Sequence, residues 1–234
     1  MERYNIFNQV HKGLRAYLYE TALAVQQTDF PKQEEAEKML HTIAEVLYYF
    51  GQHALYVERF LFPFIVDHNP GLIGIFRQQY QSNLVQAQRL RGVMTVYGHA
   101  VNEEERSAAG KSIARAFTIF LVNHLDSMSR EDNLLNSVLW RLYADTELQA
   151  LEREIVVKMT ARDLATLSKW AIRGMNNAEI IDWLRLIERT SVSTVFACFF
   201  HSAERELPAY RWDSIQEVLA EGSSIVEAVA GEPL

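Results

Sequence analysis

Polar side chains interrupt three apolar helical stripes where a plain helical bundle would carry leucine or isoleucine. His11 lies on the first stripe, His53 on the second, and His124, Ser127 and Glu131 on a later one. Residues three or four apart share one face of a helix, and imidazole and carboxylate groups bind first-row transition metals. Bundle cores build metal sites from such inward-facing side chains on neighbouring helices. The pattern therefore predicts a buried polar cluster that could hold a metal ion.

Four long helices are predicted to position these residues. Apolar residues recur every three or four positions almost throughout the chain, which is typical of amphipathic helices. We expect long helices at about residues 4–27, 31–64, 73–97 and 103–140, joined by short links that favour an up-down four-helix bundle. About five shorter helices should follow, with starts near Asp145, Thr160, Asn176, Ser191 and Pro208. The predicted fold class is all-α.

The stripes also predict which neighbouring residues face the core. Phe60 should continue the second stripe beyond Val57, because a helix of constant pitch brings every third or fourth residue back to one face. For the same reason Leu84 should face the core on the third helix, and Leu134 should follow Glu131 on the fourth. Asparagine at position 102, followed by three glutamates, suits the start of the fourth helix.

The helical pattern divides the chain into three predicted regions. Residues 1–145 form the bundle, and residues 146–221 form a region of short helices packed on it. Residues 222–234 are small and acidic, and we expect a loosely ordered tail there.

Composition argues against several classes of function. Hydrophobic residues make up 49% of the 234 residues, which is enough for a sizeable core. The formal net charge of −7, with basic residues scattered among acids, argues against nucleic-acid binding. The sequence contains no Gly-rich phosphate loop, nucleophile elbow or CxxC pair, so we predict no catalytic residues and favour a protein that is not an enzyme.

The sequence also predicts a cytoplasmic protein that does not associate with membranes. The N-terminal segment lacks the basic and apolar regions of a signal peptide, and no stretch approaches the ~18 apolar residues of a membrane span. The one cysteine, Cys198, cannot form an internal disulfide, which fits a reducing compartment. Because it lies in an apolar run at residues 195–200, we expect it to be a small core residue.

Three segments resemble the motifs of hemerythrin-like (HHE cation-binding) proteins. Residues 10–15 resemble the first-helix motif around its histidine, which here is His11. Residues 53–63 resemble the second-helix motif, a histidine followed by an apolar run into proline. Residues 124–133, leading to Trp140, resemble the fourth-helix motif. The likeness covers most of residues 4–145 and implies a four-helix bundle around a di-iron site.

The resemblance implies a ligand set that this chain carries only in part. His11, His53 and Glu131 match ligand positions of the family. Val57 stands where the second helix would supply glutamate, and Ser127 stands where the fourth would supply histidine. The third helix has no histidine, and Gln79 or Tyr80 falls near that place. Other donors that could complete a shifted site are Glu58, His124, Tyr56 and Tyr80.

Two functional hypotheses follow, from different classes. The leading one is a non-catalytic hemerythrin-like bundle with an eroded di-iron pocket and no cofactor, in which His11, His53 and Glu131 form a hydrogen-bonded remnant. The pocket would then serve an unidentified small molecule or protein partner. The alternative is an iron protein that senses or handles oxygen, nitric oxide or peroxide, with His124 and either Glu58 or Tyr80 completing the iron ligands. A purely structural or homo-oligomeric helical protein is a third possibility.

Overall fold

The computed structural model describes residues 3–221, and every regular element in that range is helical. The prediction of an all-α protein is confirmed for those residues. The chain divides into two compact units, Met1–Met159 and Thr160–Leu234. The predicted loose tail at 222–234 lies outside the described residues.

Four long helices build the first unit, and each packs against two of the others. Helix α1 contacts α2 and α4, and α3 also contacts α2 and α4. The links that join consecutive long helices are short, at residues 28–32, 65–69 and 99–102. The helices of this unit are α1 (Asn8–Gln27), α2 (Gln33–Tyr56), α3 (Pro70–Gly98), α4 (Glu103–Arg130), α5 (Asn136–Leu142) and α6 (Asp145–Lys158).

Local sequence signals explain where α3 and α4 begin. The side chain of Asn69 accepts a hydrogen bond from the backbone N–H of Leu72, and Pro70 occupies the first helical position, where its missing N–H costs nothing. Asn102 caps α4 in the same way by accepting from the N–H of Glu105. The predicted start of the fourth helix after Asn102 is confirmed.

Two of the long helices end in a π-helical turn. Helix α2 continues into a π turn at Val57–Leu61 and a 3-10 turn at Phe62–Phe64, and α4 continues into a π turn at Glu131–Leu135 before α5. A π turn takes up more residues than an α turn, so the buried stripe moves along by one position. The stripe predicted at constant pitch is therefore wrong at the next position on each helix, although Val138, also predicted to face the core, is buried. Leu135 is fully buried while Leu134 is 42% exposed, and Leu61 is buried while Phe60 is only partly so.

The buried stripe of α3 also differs from the prediction at one position. Leu84 is 46% exposed, and Asn83 occupies the core-facing position at 8% exposure. The amide of Asn83 is satisfied there, since its Oδ1 accepts from Gln79 and its Nδ2 donates to Ser127 Oγ at 3.3 Å. Because these hydrogen bonds satisfy the amide, Asn83 can be buried, and Leu84 lies on the exposed side of the helix.

Four shorter helices build the described part of the second unit: α7 (Ala161–Gly174), α8 (Asn177–Thr190), α9 (Ser193–Glu206) and α10 (Ala209–Ala220). Thr160 and Asn176 cap α7 and α8 with their side chains, as their predicted roles at helix starts require. Phe196, Phe200 and Trp212 lie in its apolar core. Cys198 is exposed, so its predicted core position is wrong: it lies on the opposite side of α9 from Phe196 and Phe200.

Within residues 3–221, no helix combines the length and the apolar character that crossing a membrane requires.

Candidate metal centre

Two histidines and one carboxylate converge inside the first unit. His11 Nε2 lies 3.0 Å from Glu131 Oε2, His53 Nε2 lies 2.8 Å from the same oxygen, and the two ring nitrogens are 3.3 Å apart. His11 and Glu131 are buried, and His53 is nearly so. The expectation that these three side chains share one buried region is confirmed.

Three different helices position these groups. His11 lies in the second turn of α1, where the ring of Phe7 stacks on its imidazole at a centroid distance of 4.9 Å. His53 lies in the last turn of α2, just before the π turn at Val57. Glu131 is the first residue of the π turn that ends α4. π turns are frequent at functional sites because they re-aim side chains without breaking the helix.

Glu131 is a buried carboxylate whose two oxygens both have hydrogen-bond partners. Oε2 faces the two histidines, and Oε1 accepts a 2.9 Å hydrogen bond from the Tyr80 hydroxyl. Burial alone would raise the pKa of Glu131, but the charge of His53 and the hydrogen bonds from His11 and His53 outweigh it and hold the pKa far below its ordinary value. Glu131 is therefore ionised at neutral pH.

Each ring nitrogen of His11 lies within hydrogen-bond distance of a carboxylate. Its Nδ1 lies 2.9 Å from Asp132 Oδ1, and its Nε2 faces Glu131. Arg15 holds the other oxygen of Asp132. Burial would lower the pKa of His11, but the hydrogen bonds to Asp132 and Glu131 outweigh it and raise the pKa. Without a metal ion, the imidazolium form satisfies both carboxylates, so an incoming ion must displace the Nε2 proton.

The spacing of the three donor atoms fits a single first-row ion. Two ligands at right angles on an ion, each with a bond of about 2.1 Å, lie roughly 3 Å apart. The three observed separations of 2.8, 3.0 and 3.3 Å bracket that value. Two histidines and one carboxylate on one side of an ion leave its other positions open, which is the ligand set of non-haem iron(II) sites. The donor set therefore fits one divalent ion with little movement.

A pocket of about 390 Å³ lies beside the three donors, between α2, α3 and α4. His53 and Glu131 line it at one end, together with Tyr80. Its remaining wall is largely apolar, but His124 and Ser127 from α4 also reach it. A small molecule in this pocket would lie next to the open side of an ion held by the three donors.

The other predicted donors differ in whether they contact the cluster of His11, His53 and Glu131. Tyr80 joins the cluster through its hydrogen bond to Glu131. His124 and Glu58 line the pocket, but neither belongs to the group whose ligand atoms lie within 4.8 Å of one another. His124 Nδ1 instead contacts the backbone oxygen of Phe120 at 2.9 Å, and Glu58 is exposed. Tyr56 is half-buried and does not line the pocket.

Asp132 and Asn83 are the site residues that the sequence reasoning missed. Asp132 is not among the predicted donors, yet its carboxylate accepts a hydrogen bond from the imidazole of His11. It follows Glu131 directly, and a step of one residue turns the side chain by about 100° around the helix axis, toward α1. That adjacency was the available signal. Asn83 gave none, because Leu84 beside it matched the apolar stripe.

No protein-family model matches this chain, and no curated protein or solved structure matches it either. The hemerythrin-like resemblance therefore rests on the motifs of the sequence alone.

Proposed function

We propose that this protein is a hemerythrin-like four-helix bundle that has kept one half of a dinuclear site and binds a single divalent metal ion. Iron(II) is the first candidate, held by His11, His53 and Glu131. The open positions of that ion face the pocket and suit a small ligand such as oxygen, nitric oxide or peroxide. The role we propose is binding or sensing of such a ligand.

The packing of the long helices supports an up-down bundle. Each of α1–α4 contacts two others in the order that a closed four-helix ring requires. Their links are only four or five residues long, and short links between long helices make chain neighbours antiparallel. One residue from each of the motifs of α1, α2 and α4 meets the other two in a single cluster, which supports the same arrangement.

The single observation that carries the proposal is the mutual spacing of the three donor atoms. Three donor atoms from three helices lie 2.8, 3.0 and 3.3 Å from one another, close to the spacing of about 3 Å that adjacent ligands of one first-row ion require. Asp132 orients His11 through Nδ1, as carboxylates beside metal-bound histidines commonly do. Tyr80 orients Glu131 in the same way.

Half of the dinuclear set is the most that the residues support. Val57 occupies the matching position on α2, is buried, and offers no donor. Ser127, on α4, has a neutral hydroxyl 3.4 Å from Glu131 Oε1, which is a poor metal ligand. A second ion would therefore lack both a carboxylate and a histidine.

Titration of metal-free protein with iron(II) under anaerobic conditions, and with cobalt(II) as a spectroscopic substitute, tests the proposal. We expect one ion per chain, a rise in melting temperature on binding, and cobalt absorption bands that show nitrogen and oxygen ligands. The variant His53→Ala should lose the ion, while His41→Ala, at an exposed histidine of the same helix, should keep it.

Two outcomes would overturn the proposal. If wild type and His53→Ala bind equally, or neither binds, the cluster is the hydrogen-bonded remnant of a lost site. If wild type takes up two irons with the near-ultraviolet absorption of a dinuclear centre, the ligand set is complete, and His124 or Glu58 must supply the missing donors.

A further inference from the structure

His124 presents one ring nitrogen in a known protonation state. Its Nδ1 lies 2.9 Å from the carbonyl oxygen of Phe120, which can only accept a hydrogen bond. Nδ1 must therefore carry the proton, and in the neutral imidazole Nε2 is left with a lone pair. Burial lowers the pKa of His124 to about 4, which keeps the ring neutral at physiological pH.

The lone pair on Nε2 has no partner within the described chain. The hydrogen bond that His124 makes uses Nδ1, and His124 as a whole is only 7% exposed. Among residues 3–221, the fully buried polar side-chain atoms that lack a partner are Asn136 Oδ1 and Trp212 Nε1. Nε2 therefore keeps some access to solvent space, and the pocket is the space that His124 lines.

The part of the pocket around His124 is built from apolar surfaces. The imidazole packs against Phe50 at a centroid distance of 4.7 Å and against Phe120 at 3.9 Å, which fixes its orientation. Leu47, Leu84 and Ala87 extend the apolar wall. A hydrogen-bond acceptor in an apolar wall costs free energy unless something donates to it.

We propose that this end of the pocket binds a small neutral organic molecule, with an apolar body about the size of a benzene ring, that donates one O–H or N–H hydrogen bond to His124 Nε2. The proposal goes beyond the metal centre and does not rest on it. Glu131 is seven residues away along α4, or roughly 10 Å at the rise of a helix. A diatomic ligand bound beside Glu131 would not span that distance, so the two ends of the pocket select different molecules.

Size and chemistry define the ligand class. Cavities of roughly 150 Å³ already hold a benzene molecule, and this pocket has about 390 Å³. The neutral acceptor cannot pair with an anion, and the two carboxylates of the pocket lining, Glu58 and Glu131, disfavour one further; Arg91, the cation of the lining, is exposed to solvent. Molecules without a donor, such as ethers and hydrocarbons, would leave the imidazole nitrogen unsatisfied.

Phenol and its methyl ether, anisole, form a matched pair of probes for metal-free wild-type protein. They have the same ring, but only phenol can donate to Nε2. We expect phenol to bind roughly three- to tenfold more tightly than anisole, in calorimetry or by ligand-observed NMR, which is the effect of one net hydrogen bond. His124→Leu should abolish the preference, and His124→Gln, whose side-chain oxygen is an acceptor, should retain much of it.

The same titrations on His11→Ala, which removes a proposed metal ligand that does not line the pocket, separate this proposal from the metal site. Binding of phenol should survive in that variant even though its metal binding is lost. Equal binding of phenol and anisole to wild type, or no binding of either, overturns the proposal even if His124→Leu fails to fold. Phenol binding that requires added metal also overturns it, because the molecule would then be a ligand of the ion.

Discussion

Helices α2 and α4 have the same local architecture and complementary chemistry. Each presents two residues, three positions apart, to the pocket, and a π turn begins four positions after the second. On α2 the two residues are Phe50 and His53 and the turn begins at Val57; on α4 they are His124 and Ser127 and the turn begins at Glu131. At each of these three positions one helix carries a good metal ligand, and the matching residue of the other helix is either apolar or a weaker ligand.

The comparison shows that a π turn forms whether or not its first residue is a potential metal ligand. The π turn at Val57 forms without a metal ligand at its first position, just as the turn at Glu131 forms with one. Both turns bury the leucine four positions on, Leu61 and Leu135, in the same apolar cluster. Apolar packing therefore maintains both turns, while the side chain at the first position decides whether the turn can hold a metal.

Removing Glu131 should have the largest effect. In Glu131→Leu, the histidine nitrogens and the Tyr80 hydroxyl lose their common buried acceptor, so we expect the free energy of unfolding to fall by about 3–5 kcal/mol, as for other broken buried charge pairs. Metal binding should disappear. Urea denaturation and metal titration measure the two effects.

The matched variant at the other π turn is Val57→Ala. It removes no donor, so its metal affinity should stay at the wild-type level even if the loss of packing lowers its stability. Equal loss of metal from Val57→Ala and Glu131→Leu would mean that packing at the turns, and not the carboxylate, determines binding.

Restoring the donors that α2 and α4 lack should remove the asymmetry between these two helices, although α3 still supplies no histidine. The double variant Val57→Glu with Ser127→His places a histidine and a glutamate four residues apart on both α2 and α4. We expect two ions per chain in place of one. Without metal the new buried carboxylate would be uncompensated, so the metal-free variant should be less stable than wild type and regain stability on loading. A stoichiometry that stays at one ion would contradict the inferred geometry of the second half-site.

Replacing His124 with the residue found at the matching level of α2 should change how stability depends on pH. Burial lowers the pKa of His124 from 6.5 to about 4. At pH values between these two, the imidazole is therefore protonated in the unfolded chain and neutral in the folded chain. Stability is therefore highest above the unfolded pKa and falls as the pH drops through this window, by about 3 kcal/mol in all.

The variant His124→Phe should lose that part of the slope, as measured by denaturation across mildly acidic pH. His41→Gln, at an exposed site, serves as the control and should follow the wild-type curve. If His124→Phe retains the wild-type slope, His124 does not resist protonation in the folded state.

Sequence periodicity predicted the all-helical fold and the convergence of His11, His53 and Glu131, because α1 has no π turn, His53 precedes one and Glu131 starts one. At the next predicted positions, Phe60 and Leu134, the same periodicity failed by one residue. A π turn depends on tertiary packing, and its local sequence carries no marker that separates it from an α turn. Polar partners such as Asn83 could not be predicted either, because their burial depends on hydrogen bonds from other helices.

The acidic residues directly after Val57 and Glu131 provide the test with the smallest expected effect. Asp132 follows Glu131 and holds Nδ1 of His11, whereas Glu58 follows Val57 and is exposed. We expect Asp132→Asn to weaken metal binding about 10- to 100-fold, as is typical when a carboxylate behind a ligating histidine is lost. Glu58→Gln should leave the affinity almost unchanged. Competition with a chelator measures both.

The pH dependence of that loss separates orientation of His11 from a general structural effect. The hydrogen bond that His11 Nδ1 donates to Asp132 raises the pKa of His11, so in wild type a proton competes with the metal up to a higher pH than in Asp132→Asn. As the pH falls, wild type therefore loses affinity sooner than the variant. The ratio of their affinities should be largest at mildly alkaline pH and shrink toward acidic pH. A ratio that stays constant over this range would show that Asp132 does not act through the protonation of His11.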